Sequence, residues 1–305
     1  MTITQLRYIV ALDQFKSFAK AAEHCLVAQP TLSLQIQKVE QELGFDLFDR
    51  RKNPIITTKL GKEVVEQAKS TLKEADKLFE IAGQWKDEPA GNISLGIIPT
   101  VSNYLIPSIY KKLQSEFPKV NFRISELPTL TIIEKLESEE IDLGILATPL
   151  KISNVVELPL YYEPFVVYYP KDAKEKSTSV SMKHIEKYPL LVLGEEHCFR
   201  HQSLKICNRN ALAKIESGSV ETLKRMVDMG IGVTLLPKLA VDKVSERIVP
   251  FQSPEPAREI SMVYKKGFYK TKILNKLSNL ILNVIPKEYH KKEKFKVIGV
   301  SIGQD

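Results

Sequence analysis

Between Leu60 and Trp85 the residues Leu60, Val64, Ala68, Leu72, Ala75, Leu78 and Ala82 recur at steps of three or four, with no proline or glycine from Val64 to Ala82. Only a long α-helix gathers such positions on one face, and a stripe of this length fits a seam against a second helix. A stripe buried within its own domain has the same pattern, so a dimerising helix and an internal core helix both remain open here. Asp87-Glu88-Pro89-Ala90-Gly91-Asn92 then breaks the helix and has the composition of a hinge.

The chain on either side of this helix has different periods. Beyond the hinge, strands predicted at 93–98, 121–126 and 141–146 alternate with helices at 104–117 and 131–138. Further strands at 165–169, 190–193, 233–235 and 260–264 accompany helices at 221–229 and 272–285. Such alternation predicts an α/β domain with a parallel sheet.

Before the long helix, Phe18, Ala19, Ala21, Ala22 and Cys25 predict a small-residue helix with Ser17 at its N-cap. After the turn Leu26-Val27-Ala28, Gln29-Pro30-Thr31 opens a second helix, where proline costs no hydrogen bond. Leu32, Ile36, Val39 and Leu43 form its apolar face. Thr31, Ser33, Gln35 and Lys38 lie opposite and, with Gln29 and Pro30, are candidate DNA contacts. Two short helices, the second polar outside, suit a helix-turn-helix, although any packed helical pair shares that shape. Arg50, Arg51 and Lys52, the turn at Asn53-Pro54 and the β-like run to Thr58 outline a wing. Arg50 and Arg51 would there contact phosphate, which positions a reader without specifying sequence.

Charge alone does not settle the partner. The 305-residue chain, long enough for two domains, carries a net +7, yet residues 1–89 hold 13 basic and 13 acidic side chains, so the excess lies in 90–305. No run approaches eighteen apolar residues and the N-terminus lacks a basic region followed by an apolar core, so neither a membrane span nor a signal peptide is predicted and the expected location is cytoplasmic. The basic tail at 287–296 fits a solvated end.

Two of only three cysteines fall in Gly194-Glu195-Glu196-His197-Cys198-Phe199-Arg200-His201-Gln202-Ser203-Leu204-Lys205-Ile206-Cys207. The thiolate is the nucleophile, and neighbouring positive charge lowers a thiol's pKa, so Cys198 reads as reactive with Cys207 available to resolve it. Other readings are a pair of small core residues, metal ligation with His197 and His201, and a static disulfide. The spacing lacks the paired-ligand pattern of structural zinc sites, and cytosolic disulfides are more often transient than structural. Thr100 and Thr129 each follow a predicted strand, as Cys198 does, at the strand ends where α/β sheets bind ligands. No Walker sequence, G-x-S-x-G or H-E-x-x-H occurs, so turnover catalysis has little support, and no cofactor is expected.

These residues resemble a known family. Phe18-Ala19-Lys20-Ala21-Ala22, Gln29-Pro30-Thr31-Leu32-Ser33, Ile36, Leu43-Gly44, Leu47-Phe48-Asp49-Arg50, Thr57 and Gly61 are similar to the winged helix-turn-helix of LysR-type transcriptional regulators. Gly232-Val233-Thr234-Leu235-Leu236-Pro237 is similar as well, and the resemblance covers essentially the whole chain. It implies an all-α winged helix-turn-helix domain (1–58), a linker and dimerisation helix with hinge (59–89), and an α/β two-subdomain, periplasmic-binding-protein-like (type II) effector domain (90–305). Subdomain I would comprise 90–163 and 268–300, and subdomain II 164–267. The implied function is a DNA-binding activator, a homodimer or homotetramer working on double-stranded DNA with RNA polymerase.

Within that family, His197-Cys198-Phe199-Arg200 with Cys207 is similar to the redox loop of the hydrogen-peroxide-sensing members. This implies a peroxidatic Cys198, a Cys207 disulfide partner, and a pocket lined by Thr100, Thr129, His197 and a basic residue on a late strand. Lys265 is the expected basic residue where members carry arginine, and a lysine cannot reproduce the planar fork. His201 stands where members carry an acidic residue. A cellular thiol reductant would reset the disulfide. If the segment between the cysteines is helical, nine steps span about 13.5 Å, against the roughly 4.4 to 6.8 Å between Cα atoms that a disulfide needs, so bridging must unwind it. A LysR-type regulator answering a small-molecule inducer with incidental cysteines, and a thiol peroxidase, are the alternatives.

Overall fold

The computed structural model describes residues 1–83, 89–173, 178–207, 216–241 and 246–300. The chain divides into two compact units, Met1–Asp87 and Glu88–Asp305.

In the first unit, α1 (Ile3–Phe15), α2 (Phe18–His24) and α3 (Gln29–Leu43) precede a hairpin of β1 (Phe48–Asp49) and β2 (Ile56–Thr57) and the long α4 (Lys59–Gly83). Thr2 and Gln5 close a capping box at α1, whereas Ser17 occupies the N-cap of α2 without a side-chain capping bond. Ile9, Leu12, Leu32, Ile36, Val39, Leu47, Phe48 and Val65 form the core. Gly61 is required where α4 passes the hairpin, since a Cβ there would lie 2.2 Å from the Leu47 carbonyl oxygen. The apolar stripe of α4 is divided: Ala68 is buried in its own unit, while Leu60 and Leu78 are exposed.

The second unit runs β3 (Ala90–Ile97), α5 (Pro99–Glu116), β4 (Lys119–Glu126), α6 (Thr129–Glu137), β5 (Leu143–Thr148) and β6 (Val155–Tyr168). Then come α7 (Met182–Ile185), β7 (Leu190–Leu193), α8 (Cys198–Ile206), β8 (Glu216–Ser217), α9 (Val220–Asp228), β9 (Val233–Pro237) and β10 (Ile248–Pro250). β11 (Glu255–Lys265), α10 (Thr271–Val284) and β12 (Phe295–Val297) close the chain. Ala90, Gly91 and Asn92 of the expected hinge belong to β3, and Asp87 and Glu88 lie outside the described residues.

Strand order is β4-β3-β5-β11-β6-β9-β7-β8, with β10 on β6 and β12 on β11. The sheet is mixed rather than parallel. β3 runs parallel to β4 and β5, but β11 is antiparallel to both β5 and β6. The reason is topological. Two apolar cores, one around β3, β5, α5 and α10 and the other around β7, β9, α8 and α9, share the long β6. β6 carries the chain out of the first core and β11 brings it back, so they run in opposite directions. Ile260, Met262 and Val263 already pack in the first core, which puts the return crossing ahead of residue 260 rather than at 267. The tail is no loose end: β12 pairs with β11, and Ile298 is buried in the second core.

Candidate redox pocket and DNA-contacting face

Cys198 is the first residue of α8 and His197 its N-cap. Both are buried. The Cys198 side chain packs with the first core, whereas Phe199, Ile206 and Cys207 pack with the second, so α8 starts on the seam between the two cores.

Three strand ends supply the surroundings. Thr100, Thr129 and Cys198 lie in the first turns of α5, α6 and α8, which follow β3, β4 and β7. None of these helices has a side-chain cap, so their dipoles and first-turn N–H groups favour negative charge nearby. The Thr129 hydroxyl lies close enough to the Cys198 thiol to lower its pKa, and this buried oxygen has no hydrogen-bond partner among the described residues.

Arg258, with 0% exposure, enters from β11. Directly opposite Glu163 of β6, it donates through Nε and Nη2 to Glu163 Oε2 at 3.0 and 2.7 Å. It also donates through Nη1 to Thr100 Oγ1 at 2.7 Å and through Nη2 to the Thr100 carbonyl at 3.0 Å. Its guanidinium carbon lies 5.2 Å from the centre of the Phe199 ring. Glu163 accepts further from the Tyr104 hydroxyl and the Leu239 N–H, each at 3.0 Å. The Tyr104 and Tyr161 hydroxyls are 2.6 Å apart.

Burial pushes the Cys198 thiol up; the Thr129 hydroxyl, the Arg258 charge and the N–H groups of Phe199 and Cys198 pull it down, and burial prevails. This corrects the expectation of a thiol depressed by surrounding positive charge. The cations near it are already occupied: Arg258 by Glu163, and Arg200 by the Leu193 carbonyl at 3.2 Å. His197 Nε2 is 3.4 Å from Glu196 Oε1.

Cys207 follows the last turn of α8 as its C-cap and is fully buried. None of the three cysteines is in a disulfide. With α8 helical between them, Cys198 and Cys207 are separated by about 13.5 Å of helix rise. Among the described residues no three His, Cys, Asp or Glu side chains converge as a metal site, and no helix is long and apolar enough to cross a membrane.

On α3, Gln29, Pro30, Thr31 and Lys38 are exposed, whereas Ser33 and Gln35 are half-buried, with Gln35 Oε1 accepting from Gln5 Nε2 at 3.0 Å. The two wing arginines differ sharply. The Arg51 side chain is 92% exposed, its Nε 3.1 Å from Asp49. Arg50 Nη2 lies 2.5 Å from the buried Glu40, and its guanidinium sits over the Phe18 ring. Glu40 also accepts from the N–H groups of Leu47 and Phe48, so Arg50 helps to tie the hairpin to α3.

Residues 3–62 match the model of the bacterial regulatory helix-turn-helix protein, lysR family, and residues 86–285 match that of the LysR substrate binding domain. The chain belongs to the LysR family of transcriptional regulators. The hydrogen peroxide-inducible genes activator of Pectobacterium carotovorum subsp. carotovorum is 37% identical to this LysR-family chain over 275 residues, covering 88% of the chain and 91% of the relative. The DNA-binding transcriptional dual regulator OxyR of Escherichia coli K12 is 36% identical over 275 residues, covering 88% and 90%. Among solved structures, a full-length cysteine-to-aspartate variant of OxyR from Pseudomonas aeruginosa superposes with a TM-score of 0.73 at 35% identity, covering 92% of this chain and 98% of that one. A hydrogen-peroxide-bound cysteine-to-serine mutant of Corynebacterium glutamicum OxyR gives 0.63 at 26% identity, covering 93% and 92%.

In this LysR-family effector domain Thr100, Thr129, His197 and Cys198 come together around the start of α8, but Lys265 does not join them. It lies seven residues further along β11, roughly 23 Å at strand rise, and donates to the Glu137 carbonyl and to Glu139 at 2.6 Å. Arg258 occupies the position expected of Lys265. The sequence carries no clear signal for it: Glu255-Pro256-Ala257-Arg258-Glu259 does not alternate, and a strand predicted only from residue 260 leaves Arg258 in a loop. Glu163, Tyr104 and Tyr161 carry no local signal, because the β6–β11 register brings Glu163 to Arg258 and Tyr104 joins only through tertiary packing of α5.

Proposed function

We propose that this LysR-family regulator senses hydrogen peroxide through a reversible Cys198–Cys207 disulfide, and that the rearrangement of α8 is its output signal. The observation that carries the reading is the unpartnered Thr129 hydroxyl beside the Cys198 thiol where three helix starts meet. A small, polar ligand able both to donate and to accept suits that place. The relatives named for peroxide and the peroxide-bound neighbour support the same ligand.

In the proposed reaction the Cys198 thiolate attacks one peroxide oxygen. The S–O bond forms as the O–O bond breaks, and the departing hydroxide takes a proton and leaves as water. Because Thr100 Oγ1 accepts from Arg258, its own proton is available to the leaving oxygen, and Thr129 offers a second; such preorganised donors act where charge develops. The sulfenic acid is then attacked by the Cys207 sulfur, expelling a second water. Two thiols lose two electrons and two protons, and one peroxide becomes two waters. No turnover follows until a cellular thiol reductant restores both thiols.

Closing the bond must unwind α8 and withdraw Phe199, Ile206 and Cys207 from the second core, a local order change of the kind that biases subunit interfaces. The finer reading is a cytoplasmic homodimer or homotetramer, assembled through the outward part of α4. It reads double-stranded DNA through Gln29, Pro30, Thr31 and Lys38 of α3, with Ser33 and Gln35 at the edge of that face. Arg51 contacts phosphate, and the protein activates transcription with RNA polymerase.

Peroxide should remove two of three titratable thiols and yield a linked Cys198–Cys207 peptide by mass spectrometry. An unchanged thiol count ends the proposal. Cys198→Ser should retain DNA binding and lose the peroxide response, whereas a regulator answering a small-molecule inducer would keep both.

A further inference from the structure

Arg258 does not stand alone beside Cys198. Its charge is shared with Glu163, fully buried like itself and its register partner across the β6–β11 crossing. Two of the four hydrogen bonds made by Arg258 go to that carboxylate and two to Thr100. Glu163 is in turn held by Tyr104 from α5 and by the Leu239 N–H. Every element that aims a polar group into the pocket from the first core, except α6 with Thr129, is thereby linked to this one carboxylate.

Resting on the reading of Cys198 as the peroxide-reactive thiol, we propose that Glu163 is the positioning residue that sets the reactivity of Cys198. It acts through Arg258, fixing the guanidinium and cancelling part of its field, so that the thiol stays largely protonated until a ligand enters. A buried cation facing a thiol with no counter-ion would favour the thiolate strongly. A neutralised cation does so weakly, yet its fork still holds Thr100 in place for the leaving oxygen.

The other groups around the pair are accounted for. Cys198 faces Thr129 and Arg258, with His197 and Arg200 beside it and Glu195 and Glu196 near those two. Glu163 faces Arg258, Tyr104 and Tyr161, and its charge also reaches Tyr289, which has Glu255 and Glu288 nearby. Each nearby tyrosine is pushed further toward its neutral form. Glu163 is thus the counter-ion that directly neutralises Arg258.

The test uses the full-length chain with Cys25 and Cys207 replaced by serine, leaving Cys198 as the sole thiol. Thiolate is followed by absorbance at 240 nm against pH, with the matching Cys198→Ser protein subtracted and folding checked by circular dichroism. Glu163→Gln should move the midpoint down by about one unit, a tenfold rise in thiolate fraction below the midpoint. The shift should vanish when the same change is made in an Arg258→Gln background. A midpoint that stays or rises, or a shift of equal size without Arg258, overturns the proposal. Should Glu163→Gln fail to fold, Tyr104→Phe decides. Removing a donor from Glu163 leaves its charge less shared, so the midpoint should rise, and an unmoved or lowered midpoint rejects the idea. These titrations contain no peroxide, so they stand or fall separately from the thiol count that tests the disulfide.

Discussion

At the residue scale the pocket is a balance between burial and a few directed donors, and Thr129 isolates one of them. A buried hydroxyl without a full set of partners costs about 1–3 kcal/mol, so Thr129→Val, which keeps the shape, should leave stability unchanged or raise it by up to ~1 kcal/mol in urea melts. The same change should slow peroxide oxidation of Cys198 by roughly tenfold or more, since a donor to the leaving oxygen is gone. A slower reaction together with lower stability would instead mean that the hydroxyl is structural. The sign of the Cys198 shift gives a second prediction. Its thiol is raised on folding from an ordinary value of 9.0, so the folded chain holds this proton longer than the unfolded chain. Its contribution to stability is complete below the unfolded value and is lost as pH climbs through the folded one. Denaturant midpoints of the reduced protein should therefore fall above about pH 9, and less steeply in Cys198→Ala. The residue types of this pocket were legible in the sequence, since Cys198, Thr100 and Thr129 each follow a strand. What was not legible is that burial outweighs charge, because the pairing of Arg258 with Glu163 depends on strand register.

At the element scale α8 is the part that the proposed disulfide would change, and its attachments say what resists. Besides the packing of Phe199 and Ile206, the Gln202 amide donates to the Ile298 carbonyl at 2.7 Å and Lys205 donates to the Gly299 carbonyl at 3.3 Å. The Ile298 side chain lies in the same core. If oxidation unwinds α8, these contacts stabilise only the reduced form. Ile298→Ala, with a cost of about 2–5 kcal/mol for a buried isoleucine, should then make the disulfide easier to form. At about 30 mV per 1.4 kcal/mol for a two-electron couple, the midpoint potential against glutathione should become more negative by several tens of millivolts. An unmoved potential would show that the tail keeps its seat in both states. The nine-residue spacing of the two cysteines was legible in the sequence, with a helix between them only as a condition; this strap was not legible at all. The tail at 287–296 reads as basic and solvated, and only the parallel pairing of Phe295–Val297 with β11 brings it back. For the same reason the expected parallel sheet became mixed: alternation predicts strands and helices but says nothing of a strand long enough to serve two cores.

At the scale of the whole molecule the charge distribution decides how DNA affinity is carried. Residues 1–89 are neutral overall, with 13 basic and 13 acidic side chains, so their affinity must rest on individual exposed cations rather than on a general field. The helix-turn-helix, its wing and the long helix were all legible in the sequence, because helical period and turn residues are local signals. The division of labour between adjacent arginines was not, because Glu40, which holds Arg50, is ten positions away on another element. Arg51→Ala should weaken binding to all sequences alike and reduce the slope of log affinity against log salt by about 0.9, one phosphate contact, with the melting temperature unchanged. Arg50→Ala leaves the buried Glu40 without its cation and loosens the hairpin, so its main effect should be on stability, about 1–3 kcal/mol by thermal or urea denaturation. Its residual loss of binding should vanish once measured on the folded fraction. Filter-binding isotherms across a salt series, run beside melts of both variants, separate the two roles. A lowered salt slope in Arg50→Ala with an unchanged melt would return that arginine to the phosphate-contacting face.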